Sequence, residues 1–192
     1  MTITREQAAA LLDKHLTTSW IKLHSRESEV IMRAVAEKIS EDQDLWGLTG
    51  LLHDLDMDKI DIKNPKDHSI KTCEILLQEF NKNVPDEMIH AIKAHVESLG
   101  FVGIKRESKL DFALGACENL SGFLVACALV MPDKKLASVK TESVIKKLKK
   151  KDFARNVNRQ FIYDIEKAGL GLEEFITLAL EAINKIASEI GL

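Results

Sequence analysis

The 192-residue sequence is poor in residues that interrupt or cross-link a chain. It has only three prolines and nine glycines, and these fall mostly between apolar segments, as turns between helices would require. Its three cysteines, Cys73, Cys117 and Cys127, form no CxxC pair and are odd in number. A disulfide framework is therefore disfavoured, and a reducing compartment is expected.

The sequence also lacks a large excess of charge and a long apolar run. A formal net charge of −3 argues against capture of nucleic acid by a basic surface. The basic run KKLKKKDFAR lacks a recognised binding motif and is typical of a solvated helix face. The longest apolar run, at 123–131, is about half a membrane span, and the N-terminus has no signal-peptide pattern. We expect a cytoplasmic protein with neither a membrane nor a nucleic-acid partner.

Apolar residues recur with helical spacing in almost every segment, which predicts an all-α fold. We expect one domain over residues 1–192, a bundle of about eight to nine helices, in which 133–192 pack onto a core at about 20–130. Capping signals at Thr4 and Ser108 mark two helix starts. A third helix begins after Asp42 or Asp44 and ends in LLHDLD, residues 51–56. Further helices are predicted at 25–39, 64–80, 85–97, 157–168 and 172–190.

Three titratable residues stand in apolar surroundings. His53 and Asp54 follow a leucine-rich segment, and Glu118 lies among Ala, Leu, Cys and Gly. Carboxylates are almost never fully buried unless they are paired or bind a cation. A divalent metal would resolve that cost, and mixed histidine and carboxylate ligands favour Mn, Fe, Co, Ni or Zn over Mg.

These residues belong to an ordered series on successive predicted helices: His24, His53-Asp54, His68, His95 and Glu118. The series resembles the HD-domain superfamily of metal-dependent phosphohydrolases, which are all-helical. Within it the chain is similar to small stand-alone HDIG-type hydrolases, in the stretches WGLTGLLHDLD, LSGFLVACALVMPDKK and SVIKKLKKKDFARNVNR.

The resemblance implies a metal site made of His24, His53, Asp54 and Glu118. Glu118 departs from the family pattern, which has Asp at that position. A second metal would be bound by His68 and His95, the histidines between the doublet and the last acid. Since five residues turn a helix by about 140°, His90 and His95 cannot share a face, and His95 is the favoured ligand.

The resemblance also implies hydrolysis by a metal-activated water. Asp54 would act as a catalytic ligand, and Asp58 would transfer protons, although the sequence does not separate Asp58 from Asp56 and Asp61. Lys71 is predicted to meet a substrate phosphate.

Three functions stay open at this point. The first is hydrolysis of a nucleotide or another small phosphorylated metabolite. The second is a di-iron oxygenase, which requires both His68 and His95 as ligands. The third is a nucleotide-binding regulatory module without turnover, which is suggested by the unusual Glu118. Assembly into a homo-oligomer is also left open.

Overall fold

In a computed structural model, the described residues, 3–61 and 63–191, form helices joined by turns and loops, with no strand among them. The predicted all-α class is confirmed. The helices are α1 (Arg5–His15), α2 (Ser19–Lys38), α3 (Gln43–Leu52), α4 (Ile70–Phe80), α5 (Asp86–Ala94), α6 (Lys109–Leu129), α7 (Thr141–Leu148), α8 (Arg159–Tyr163), α9 (Leu172–Asn184) and α10 (Ala187–Ile190). One apolar core extends from Ile3 to Ile190 and includes side chains from both ends of the chain.

The bundle is organised around α2 and α6. Helix α2 packs against α3, α6 and α9, while α6 also contacts α5 and α8. Helix α6 is apolar enough to span a membrane by length and composition, but 61% of its most apolar window is buried within the bundle. A helix that is apolar on all sides must be covered on all sides, and here neighbouring helices provide the cover.

A glycine sets the spacing between α2 and α3. A Cβ at Gly50 would lie 2.8 Å from the carbonyl oxygen of Ser28 in α2, which is closer than real Cβ atoms approach. The small residue lets the two backbones touch. This close approach brings the C-terminal end of α3 beside the N-terminal half of α2.

Local capping signals located helix starts well. Thr4 and Gln7 form the predicted capping box of α1, Ser108 and Asp111 form that of α6, and Asp42 caps α3. These bonds satisfy backbone N–H groups that have no partner within a helix.

Several other predicted helix boundaries were wrong. Helix α2 begins at Ser19 rather than at residue 25, so His24 lies within the helix instead of at its start. Helix α4 begins at Ile70 rather than after Asn64, because residues 65–69 form turns that end in Ser69 at φ +68°. Helix α5 ends at Ala94, before the predicted residue 97. The predicted helix at 157–168 is α8 followed by a 3-10 segment, and that at 172–190 is broken between α9 and α10.

Candidate metal centre

Five separate segments bring the histidine and acid series to one point. His24 comes from α2, and His53 and Asp54 follow the last residue of α3. His95 occupies the corresponding position after α5. The two remaining members are His68, in the turn before α4, and Glu118, in the middle of α6. Residues distant in sequence therefore converge in the interior of the bundle.

Two of the histidines are held by the same local arrangement. His53 Nδ1 lies 2.8 Å from the carbonyl oxygen of Gly50, and His95 Nδ1 bonds to that of Ile92. In each case the ring donates to a carbonyl three residues earlier, in the last turn of the helix. Such carbonyls lack partners within the helix, so the ring satisfies one of them and is fixed in orientation.

The other two histidines are held by side chains. His24 Nδ1 lies 2.9 Å from the Ser121 hydroxyl, which donates to the carbonyl of Glu118 and must therefore accept from the ring. His68 Nδ1 donates to Asp56 Oδ1 at 2.9 Å. When neutral, each of the four rings therefore carries its proton on Nδ1 and leaves the lone pair of Nε2 free.

All four Nε2 atoms face the carboxylate of Asp54. His53 and His24 lie 3.3 and 3.9 Å from Oδ2. His68 and His95 both lie 3.5 Å from Oδ1. Each carboxylate oxygen of Asp54 therefore faces the Nε2 atoms of two histidines.

These residues fit a divalent cation. His53 Nε2 and Asp54 Oδ1 are buried, and neither has a hydrogen-bond partner in the described part of the chain. Unpaired buried polar atoms are costly, and a cation would satisfy both. Ligand atoms of His24, His53 and Glu118 lie within 4.8 Å of one another, as do those of His53, Asp54 and His95.

The two carboxyl groups of the cluster also require a positive charge beside them if both are ionised. Burial would lower the pKa of His53, but the negative charges of Asp54 and Glu118 raise it to about 9. Burial opposes ionisation of Asp54, yet the neighbouring histidines hold its pKa well below the usual range. Burial raises the pKa of Glu118 to about 8 and, together with His53, lowers that of His24 to about 4. The carboxylates are balanced only when a proton on His53 or a cation lies among them.

Comparison with known protein families agrees with this geometry. Residues 22–110 match the model of the HD domain. The chain carries an HD domain. The match contains His24, the His53-Asp54 doublet, His68 and His95, whereas Glu118 lies beyond its end. No curated protein and no solved structure matches significantly.

Glu118, which stands where the resemblance implies an aspartate, lies within the cluster although it is outside the matched segment. Glu118 groups with His24 and His53, and its Oε1 accepts a hydrogen bond from the Asn119 amide. Its longer side chain therefore still reaches the two histidines that the resemblance assigns to the first ion.

Asp56 has a role that the sequence did not reveal. It is fully buried and accepts hydrogen bonds from His68 Nδ1 and from the backbone N–H groups of Ser69 and Thr72, the Ser69 bond being 2.7 Å long. Asp56 therefore orients His68 and stabilises the positive φ of Ser69. Carboxylates that hold the far nitrogen of a histidine ligand commonly tune metal sites in this way.

Asp58 is engaged in hydrogen bonds away from the cluster, and its role in proton transfer stays a prediction. Its exposed carboxylate accepts hydrogen bonds from Thr17 and Thr18, at 2.5 Å from Thr17 N and 3.0 Å from Thr18 N. These bonds hold the pKa of Asp58 well below its usual range. A general base works best with a pKa near the working pH, so these contacts favour a role in fixing the turn between α1 and α2.

Lys71 is also engaged elsewhere. Its Nζ forms an ion pair with Asp67 Oδ2 at 3.2 Å, one turn earlier. It is not among the residues that line the two cavities beside the metal centre. Its contact with a substrate phosphate stays a prediction.

Two cavities of different character meet at Asp54. The first, which we call the apolar cavity, has a volume of about 310 Å³ and reaches His24. Its other lining residues are Trp20, Leu23, Glu27, Gly122, Val125 and Ile190. The second, the polar cavity, has a volume of about 200 Å³, contacts His68, His95 and Glu118, and includes Ser98, Asn156 and Asn158 in its wall.

A larger groove, of about 440 Å³, lies near the N-terminus but does not reach the cluster. Its basic residues are already paired: Arg5 with Glu29, Lys22 with Asp13 and Arg26 with Glu189. The apolar and polar cavities, by contrast, both border the metal centre at Asp54.

Proposed function

We propose that this chain is a metal-dependent phosphohydrolase that acts on a nucleotide or another small phosphorylated metabolite. The observation that carries the proposal is the convergence of four Nε2 lone pairs on the two oxygens of Asp54. HD domains are in general metal-dependent phosphohydrolases, and the match covers the segment that supplies all four histidines.

Asp54 divides the ligands into two sets. His24, His53 and Glu118 would hold one ion on the side of Oδ2, and His68 and His95 would hold a second on the side of Oδ1. Imidazole and carboxylate ligands without thiolate favour Mn, Fe, Co, Ni or Zn over Mg. When bound, such an ion lowers the pKa of a water and polarises a phosphoryl oxygen. We assign Asp54 as the catalytic carboxylate because it lies between the two sets.

The polar cavity supplies neutral hydrogen-bond donors for phosphoryl oxygens. Asn158 accepts the Phe161 N–H through Oδ1, which leaves its amide NH₂ group free to donate. Ser98 and Asn156 add a hydroxyl and a second amide to the same wall. Among the described residues, neither cavity at Asp54 is lined by lysine or arginine. Substrate phosphate would therefore depend on bound cations for charge neutralisation, which supports metal-dependent turnover.

The proposal is tested by measuring phosphate release from a panel of phosphorylated metabolites, with each candidate metal added to chelated protein. We expect turnover that needs a metal and is lost in His53→Ala. His90→Ala is the matched control, since His90 lies outside the cluster and pairs with Asp111. Absence of phosphate release across the panel would contradict the proposal.

A di-iron oxygenase is the second candidate. It is favoured by one observation: His68 and His95 both face Asp54 Oδ1, as a second metal site requires. Iron content and oxygen consumption separate the two candidates. One ion per chain would reject the oxygenase, whereas oxygen-dependent product formation with two irons would favour it.

A further inference from the structure

The apolar cavity contains one acidic group that the proposed mechanism does not use. Glu27 lies one turn after His24 on α2, is only 4% exposed and lines the same cavity as His24 and Asp54. In the described residues it has no hydrogen bond and no ion pair, and burial raises its pKa to about 7. A buried carboxyl without partners destabilises a protein unless a ligand supplies donors.

The walls around Glu27 suit a flat ring. Leu23, Val125 and Ile190 are apolar, and the indole of Trp20 is 59% exposed at the cavity. An exposed aromatic face that lines a small cavity offers a stacking surface. The volume of about 310 Å³ is near the lower end of ligand sites, which span roughly 300–1,000 Å³. The space therefore suits one ring system rather than a long chain.

A glycine keeps this space open. Gly122 lies in the interior of α6 and lines the cavity, and a Cβ built there meets no atom within 4 Å. Packing against the protein does not require glycine at this position, and a glycine inside a helix weakens the helix. Its presence is explained if a ligand occupies the adjacent space.

We infer that the apolar cavity binds the base of a nucleotide substrate, and that Glu27 selects it by accepting hydrogen bonds from N–H groups on the ring edge. The inference rests on the proposed function for the phosphate end of the substrate. A ligand whose base lies in the apolar cavity would place its phosphate near Asp54, which borders both cavities. A carboxylate with two acceptor oxygens is complementary to two adjacent N–H donors, such as N1–H and the 2-amino group of guanine.

Binding of guanosine, measured by calorimetry with metal-loaded protein, tests the inference without turnover, because guanosine carries no phosphate. We expect guanosine to bind and 1-methylguanosine, which lacks the N1 donor, to bind about tenfold more weakly or worse. Glu27→Gln should weaken guanosine binding by a similar factor. Glu37→Gln is the matched control, because Glu37 lies on the same helix but is exposed.

Gly122→Leu provides an independent test that should not unfold the protein, since its Cβ would meet no atom within 4 Å and the rest of its side chain would extend into the cavity that Gly122 lines. We expect it to abolish guanosine binding while metal content is unchanged. Failure of guanosine to bind, or binding that neither Glu27→Gln nor Gly122→Leu weakens, would overturn the inference. If guanosine binds as expected but no phosphate ester is hydrolysed, the proposed function fails and this cavity assignment stands. If phosphate is released but guanosine does not bind, the proposed function stands and the cavity assignment fails.

Discussion

At the scale of single residues, the metal centre depends on what holds the far side of each imidazole. The doublet His53-Asp54 could be recognised from sequence because its motif is local and its surroundings are apolar. The role of Asp56 could not be recognised from sequence, because its partner His68 lies 12 positions away, across turns that helical periodicity does not describe. Glu27 was also missed, since an acid on an amphipathic helix is usually exposed.

Asp56→Asn tests the role of the residue behind His68. The amide keeps the shape but weakens the bond that orients the imidazole, so we expect metal affinity to fall about 10–100-fold. The measurement is a metal titration of chelated protein. Asp61→Asn, an exposed acid in the same acidic run, is the control. Equal affinity in Asp56→Asn and the wild type would show that Asp56 does not support the site.

Gly122→Ala tests whether glycine is retained for ligand space rather than for folding. The new Cβ meets no atom within 4 Å, and a glycine in a helix interior costs roughly 0.5–1 kcal/mol relative to alanine. We therefore expect the free energy of unfolding in urea to rise by about that amount. A loss of stability would mean that the glycine serves the packing of α6.

At the scale of helices and loops, sequence reasoning worked where one short contact decides a boundary. Each capping box, Thr4 with Gln7 and Ser108 with Asp111, spans only four residues, and both were found from the sequence. The start of α4 was missed because a tertiary hydrogen bond from Ser69 N–H to Asp56 replaces a local cap. Tertiary contacts of this kind cannot be read from a window of neighbouring residues.

Arg106 connects the segment before α6 to the segment after α8. Its guanidinium is 6% exposed and bonds to Glu97 at 3.1 Å and to Asp164 at 2.8 Å. It also lies 3.5 Å from the ring centroid of Phe161, a residue in the wall of the polar cavity. The buried ion pair between Arg106 and Asp164 therefore holds Arg106 against Phe161 and stabilises the wall of the polar cavity.

Arg106→Met should leave the buried Asp164 without its nearest cation and lower the free energy of unfolding by about 3 kcal/mol at neutral pH. Burial would raise the pKa of Asp164, but Gln160, Lys167 and Arg106 together lower it. A lowered folded-state pKa stabilises above the unfolded value, about 3.9, and this contribution is lost as pH falls through the folded-state pKa. The difference in the free energy of unfolding between Arg106→Met and the wild type should therefore become smaller at acidic pH.

Urea unfolding at neutral and acidic pH measures this difference. Arg155→Met, at an exposed arginine, is the control and should change stability little. A difference for Arg106→Met that is constant with pH would contradict the assigned ion pair.

At the scale of the whole molecule, α2 and α6 form the frame that holds both the metal ligands and the apolar cavity. The all-α class and the HD family could be predicted, because periodicity and motif order are properties of the linear sequence. The two cavities could not be predicted, because their walls combine residues from α2, from the segments after α3 and α5, from α6, and from the chain after residue 150. The proposed cytoplasmic location, the absence of a nucleic-acid partner and the oligomeric state stay predictions.

The central claim is that four histidines, Asp54 and Glu118 form a metal centre. Elemental analysis after titration of chelated protein with Mn, Fe, Co, Ni and Zn tests it most directly. We predict at least one tightly bound ion per chain, retained in His90→Ala and lost in His53→Ala, with two ions if His68 and His95 form a complete second site. A wild-type protein that binds none of these ions, or a His53→Ala variant that binds them equally well, would contradict the claim.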